Sequence, residues 1–152
     1  MSDEDWTLEM KSFSFGSSSR IKMNVKTAKM DVLIASATTM SYIPEKHWDN
    51  WLNGIGKKDD WSFDDDAGYF WVKCSGTSMF NGFWIDFDDS SLYIASENFI
   101  QYDKDNGECW LFADYSDDDY MIMGSSFLRG NYLTFDVENK KVGFSLTKAR
   151  NG

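Results

Sequence analysis

Short runs of aromatic and β-branched residues recur along the whole chain, each closed by an acidic or Gly/Ser/Asn-rich turn, and this rhythm limits the fold more than any other feature. The runs are Thr7 to Phe15, Arg20 to Val25, Asp31 to Ala35, Gly68 to Lys73, Gly82 to Phe87, Ser91 to Ile94, Cys109 to Phe112, Tyr120 to Met123, Tyr132 to Asp136 and Lys141 to Leu146. Several alternate with period two. In Trp84-Ile85-Asp86-Phe87-Asp88 the aspartates fall on one face and Ile85 and Phe87 on the other, as a half-buried strand requires. Regular short strands with polar turns predict a mostly β domain.

One segment departs from that period. After Pro44, residues Trp48, Trp51, Leu52 and Ile55 sit at i, i+3, i+4 and i+7, which gathers them on one face of an amphipathic helix. Pro44 suits the first turn, and Gly54 or Gly56 suits the end. A second, short helical turn is predicted at Ser125 to Arg129. No repeat or linker interrupts the chain, so its 152 residues are expected to form a single domain with a core from about residue 6 to about 146.

Composition narrows the function. With 25 acidic and 15 basic residues the net charge is −10, which argues against a nucleic-acid partner, because counterion release from phosphates needs a positive face. Hydrophobic residues make up 42% and aromatics 17%, too much apolar material for a disordered acidic tail. No apolar run is long enough to span a bilayer, so membrane insertion is not expected. The opening Met1-Ser2-Asp3-Glu4-Asp5 lacks the basic and apolar regions of a signal peptide.

Few residues suggest a metal or nucleophile. The two cysteines, Cys74 and Cys109, cannot complete a four-ligand zinc site with the single histidine, His47, and composition leaves open whether they form a disulfide. His47 lies on the predicted helix away from other ligands and reads as a surface residue. Asp103-Lys104-Asp105-Asn106-Gly107 resembles the start of a calcium loop, but its Gly falls one position early and Asp114 stands where Glu is needed. Like Asp64-Asp65-Asp66 and Asp117-Asp118-Asp119, it reads as a solvated turn. Gly16-Ser17-Ser18-Ser19 lacks the lysine and following helix of a phosphate loop and reads as a hairpin. No metal or cofactor is expected.

The last third carries a more specific pattern. Met121-Ile122-Met123-Gly124, then Ser125-Ser126-Phe127-Leu128-Arg129, then a strand ending in Phe135-Asp136 and a hairpin closing on Val142-Gly143-Phe144, resembles the C-terminal end of pepsin-type aspartic peptidases. Trp6 to Gly16 is similar to the entry strand of that family's C-terminal lobe. Val32-Leu33-Ile34, Tyr42-Ile43-Pro44 and the tryptophan helix resemble its active-site strand, loop and helix. The resemblance runs from about Trp6 to Phe144 and covers one of the family's two lobes. It implies a single pepsin-like acid-protease lobe, with a disulfide joining Cys74 to Cys109.

In that family each lobe supplies one loop of the form Asp-Thr/Ser-Gly-Thr/Ser, and the two aspartates share one proton because their repulsion splits their pKa values. The matching stretch here is Ala35-Ser36-Ala37-Thr38-Thr39. Ala35 stands where the resemblance puts the catalytic aspartate, and Ala37 where it puts glycine. Ser75-Gly76-Thr77-Ser78 after Cys74 is a decoy that supplies no carboxylate and leads into no amphipathic helix.

The resemblance, with Ala35 in place of the catalytic aspartate and only one of the two lobes covered, implies that the chain is not an enzyme. On that reading it is a catalytically inactive lobe serving as a structural or protein-binding module, a subunit of a larger assembly. The alternative is the C-terminal fragment of a two-lobed aspartic endopeptidase, inactivated by processing or by active-site substitution. A lone lobe working as a homodimer would pair two alanines. The expected partner is another protein or a matching N-terminal-type lobe, docked across the uncharged segments Val32-Leu33-Ile34 and Met121-Ile122-Met123. A disulfide would point to a secreted, lumenal or vacuole-like compartment.

Overall fold

A computed structural model of the chain describes residues 6–18, 21–35, 37–88, 91–128, 131–136 and 141–146. Strand β1 (Trp6–Ser18) turns back into β2 (Ile21–Ile34) as an antiparallel hairpin. The separate strands expected from Arg20 to Val25 and from Asp31 to Ala35 fall on the two ends of β2, with Arg20 outside the described residues, because Lys26 and Thr27 continue the pairing opposite Phe13 and Ser12. Along β1 the buried apolar side chains run Met10, Phe13, Phe15, an odd step after Met10. The register shift between Met10 and Ser12 accounts for it: an extra residue in one strand flips the face that its successors present.

Next come β3 (Ser41–Pro44) and helix α1 (Glu45–Ile55). The helix starts after Pro44 and ends where the Gly56 N–H reaches back to the Leu52 carbonyl at 3.1 Å, with Gly56 at φ 121°, a conformation open to glycine. Trp48, Trp51, Leu52 and Ile55 are its buried residues, the four that the sequence spacing put on one face. Gly54 brings the helix against β1, since a Cβ there would collide with the Phe15 ring.

Two short 3-10 turns, Lys58–Asp60 and Thr77–Met79, flank β4 (Ser62–Asp64) and β5 (Tyr69–Lys73). The chain continues through β6 (Gly82–Asp86), β7 (Ser91–Ile94), α2 (Ser96–Phe99), β8 (Ile100–Asp103), β9 (Glu108–Leu111) and β10 (Ala113–Ser116). It ends with β11 (Met121–Met123), α3 (Ser125–Leu128) and the hairpin of β12 (Asn131–Asp136) and β13 (Lys141–Leu146). The fold is mostly β, consistent with a single pepsin-like lobe.

Seven strands form the main sheet in the order β10-β3-β11-β2-β1-β6-β7, and four more form a second sheet, β4-β5-β9-β8. Between them lies an aromatic core centred on the fully buried Trp51 indole, whose centroid is 5.5, 5.6 and 5.9 Å from those of Phe83, Phe99 and Phe127. Such pairs add stability beyond their buried area. The second sheet is fastened by the Cys74–Cys109 disulfide, with Cα atoms 5.8 Å apart. Cys109 sits on β9 opposite Val72, and the Cys74 N–H bonds to the Gly107 carbonyl at 3.0 Å.

Candidate functional site

The loop from Ala35 to Met40 joins β2 to β3, and between these strands lies β11, parallel to β2 and antiparallel to β3. The register sets Val32 beside Met121, Leu33 beside Ile122 and Ile34 beside Met123. Val32, Met121 and Met123 are fully buried on the core side, so the period-two alternation leaves Leu33 and Ile122 on the outer face, half-buried. Tyr42 pairs with Ile122, and Thr7 with Leu33, giving a row of half-buried side chains across four strands. The uncharged segments that the sequence marked as needing cover are therefore covered on one side by the chain's own core.

Backbone hydrogen bonds fix the loop. The Ala35 N–H donates to the Met123 carbonyl at 3.0 Å, the Thr38 N–H to the Ala35 carbonyl at 3.0 Å, the Ser125 N–H to the Thr38 carbonyl at 2.7 Å and the Ser126 N–H to the Thr39 carbonyl at 3.1 Å. The start of α3 thus grips one side of the loop while β11 grips its root. Gly124 makes this approach feasible: a Cβ there would run into the Met40 carbonyl oxygen and lie 2.6 Å from that of Thr38.

Beneath the loop runs a line of buried hydroxyls. The Gly124 N–H donates to Ser41 Oγ at 3.0 Å, Ser41 and Ser126 share a 2.8 Å contact between their Oγ atoms, and Ser126 Oγ donates to the Phe112 carbonyl at 2.9 Å. Since the one Ser126 proton goes to Phe112, Ser41 must donate to Ser126, and every hydroxyl in the line both gives and accepts. Sequence reasoning missed Ser41 and Ser126. Nothing in the sequence sets them apart from their neighbours Thr38, Thr39 and Ser125; it is burial that obliges each hydroxyl to find a partner.

Of the residues marked in the sequence, Ala35 is partly buried at the end of β2, Ala37, Thr38 and Thr39 are exposed, and Ser36 lies outside the described residues. Met121 to Gly124 stand directly beside the loop. Cys74 and Cys109 are bonded to each other elsewhere, which removes the decoy at Ser75 to Ser78. His47 is not a plain surface residue: its Nε2 is buried with no hydrogen-bond partner among the described residues, and burial pulls its pKa below the usual imidazole value, helped by Lys46. Asp103 accepts from the N–H groups of Asp105 and Asn106, and Asp64 from those of Asp66 and Ala67, so each begins a self-bonded turn. Among the described residues no group of three or more His, Cys, Asp or Glu is placed to hold a metal ion, and no helix is long and apolar enough to cross a membrane.

Around the site, Asp114 faces Tyr42 across the β10–β3 pairing, and burial raises its pKa against the opposing hydrogen bond from the Tyr115 N–H. Next to Leu33 opens a depression of about 770 Å³ shared by Thr7, Lys29, Asp31, Asp119 and Tyr120. The loop and this depression lie on exposed parts of the lobe. Within this chain the loop presents a hydroxyl-bearing, uncharged surface.

A family model described as eukaryotic aspartyl protease matches residues 1–147. The acid protease of Saccharomycopsis fibuligera is 25% identical over 142 residues, 93% of this chain and 33% of that protein. The acid extracellular protease of Yarrowia lipolytica is 25% identical over 80% of this chain and 31% of its own length, and rhizopuspepsin-3 of Rhizopus niveus is 23% identical over 74% and 27%. The chain therefore spans about a third of the length of the curated relatives it matches. These matches overturn the reading that the chain is not an enzyme, since every relative named here is a protease. That reading rested on Ala35 and on the missing second lobe, but the chain matches only about a third of each of these proteases, and the chemistry that the resemblance implies draws on two lobes, of which residue 35 serves one. With its matched residues spread across both sheets and the loop between β2 and β3, the chain belongs to the eukaryotic aspartyl protease family.

Proposed function

We propose that the chain is the C-terminal lobe of a two-lobed aspartic endopeptidase, and that its outer face docks a matching N-terminal-type lobe so that the loop from Ala35 to Thr39 fronts a cleft for an extended polypeptide. The observation that carries this reading is the way β11, Gly124 and α3 hold the loop. Four backbone hydrogen bonds fix it at an exposed edge of the lobe, and rigid placement of this kind is what a site must supply before any chemistry. The half-buried row of Thr7, Leu33, Ile122 and Tyr42 beside it supports a protein partner, because it is apolar at its centre and polar at its ends.

Residue 35 is where this lobe meets the scissile bond in such a protein. A paired carboxylate there would split the pKa values of the couple and hold one charge between them, and alanine brings neither charge nor proton. Cleavage by the full-length protein is therefore expected to be limited at residue 35. The test is a peptide-cleavage assay at acidic pH on the full-length protein and its Ala35→Asp/Ala37→Gly variant. The variant should cleave faster and bind a statine-type inhibitor more tightly. A variant with unchanged cleavage and unchanged inhibitor binding would overturn the reading.

A further inference from the structure

A second concavity, of about 570 Å³, shares no residue with the loop and lies between α1, the β4–β5 hairpin and β10. Its floor is Trp48, only 6% exposed, with the rings of Phe70 and Tyr115 centred 5.6 and 5.8 Å away. Trp61 and Phe63 line it further, and Phe63 and Tyr115 are 45% and 44% exposed, unusual for rings of this size beside a well-packed core.

Charge makes the groove more than an apolar patch. Asp49, Asp59 and Asp114 open onto the same space, against Lys58 as the one cation in its lining among the described residues. An apolar partner would have to strip water from three carboxylates, and an anionic one would meet their repulsion. Aromatic faces attract cations, and neighbouring carboxylates reinforce that attraction.

We propose that this groove binds a basic side chain of an extended polypeptide, arginine in preference to lysine. The guanidinium group can stack flat on a ring while its edge presents a fork of N–H donors to a carboxylate, whereas an ammonium is a hydrated point charge that does only one of these well. The net charge of −10 would draw such a segment toward the lobe. Asp114, whose pKa burial raises, gains a counter-charge when the cation arrives. The inference does not depend on the reading of the loop between β2 and β3.

The test titrates the purified protein with hexa-arginine, hexa-lysine, hexa-glutamine and maltohexaose, read by tryptophan fluorescence and calorimetry at constant salt. Hexa-arginine should bind more tightly than hexa-lysine, and the two neutral probes should not bind. Phe63→Ala and Tyr115→Ala, which truncate rings already open to solvent, should each weaken hexa-arginine about fivefold, and Asp114→Asn about tenfold. Asp105→Asn removes the same charge at the turn between β8 and β9 and should leave affinity within about twofold. The proposal is overturned if hexa-arginine does not bind, if the ring truncations leave affinity unchanged, if Asp105→Asn weakens binding as much as Asp114→Asn, or if maltohexaose binds instead.

Discussion

Ser41 and Ser126, 85 residues apart in sequence, meet through a 2.8 Å hydrogen bond between hydroxyls of wholly buried residues. Their bond is the middle link of the line from Gly124 to Phe112. Ser41→Ala would strand the Gly124 N–H in a buried setting and should cost about 1–3 kcal/mol. Urea unfolding of the variant measures this, and a loss below about 0.5 kcal/mol would mean that the line does not hold the loop.

Gly124→Ala should be more damaging. The new methyl would face two carbonyl oxygens of the backbone, which cannot swing aside as a flexible side chain can. A cost of about 3 kcal/mol, or failure to fold, is expected. Gly68 is the control: nothing lies within 4 Å of a Cβ there, and Gly68→Ala should pay only for its φ of 79°, about 1 kcal/mol.

Replacing both Cys74 and Cys109 by serine should lower stability by about 3 to 4 kcal/mol, since the disulfide closes a sequence separation of 35 residues. Thiol titration of the denatured, unreduced protein should find none of the pair free. Detection of two reactive thiols would contradict the bond.

The pH response should carry two opposed contributions. His47 has a depressed pKa in the folded protein, so the unfolded chain binds its proton more readily, and stability from this group is lost as pH falls from the ordinary 6.5 through the folded value. Asp114 is raised, so its contribution is complete below the ordinary 3.8 and is lost as pH rises through the folded value. His47→Gln should flatten the acid-side decline, and Asp114→Asn should raise the urea midpoint at neutral pH but not at pH values below the carboxylate range. Parallel denaturation series across pH check both signs.

Leu33→Asp and Ile122→Asp probe the outer face. Both side chains are half-buried and point away from the core, so the lobe should remain folded by near-UV circular dichroism while any association across that face weakens about tenfold or more. Unfolding of both variants, or association unchanged by both, would contradict the docking role.

Much of this lobe was legible from periodicity. The stripe of Trp48, Trp51, Leu52 and Ile55 gave the helix and its buried face, and Ser91 to Ile94 and Lys141 to Leu146 are strands with the bounds that the pattern set. The strands that escaped notice, β3, β4, β8 and β10, are three or four residues long. Length alone did not hide them, since β7, β9 and β11 are as short and were found; tertiary pairing rather than local preference makes the missed segments strands. Within the site, Met121 to Gly124 and the loop at Ala35 were found through their likeness to a family. Ser41 and Ser126 were not, because burial of a hydroxyl depends on what packs above it.

The place of β11 between β2 and β3 bears on how the lobe is made. Those two strands precede β11 in the chain, and the slot between them stays vacant until everything from α1 to β10 has followed. Closing it requires a contact between distant parts of the chain, the slow kind of step in folding. Meanwhile the facing edges of β2 and β3 offer unpaired N–H and C=O groups to any other strand nearby. A chain whose synthesis has not yet reached Met123 therefore carries an unsealed sheet, the transiently exposed strand edge that makes incomplete chains prone to aggregate.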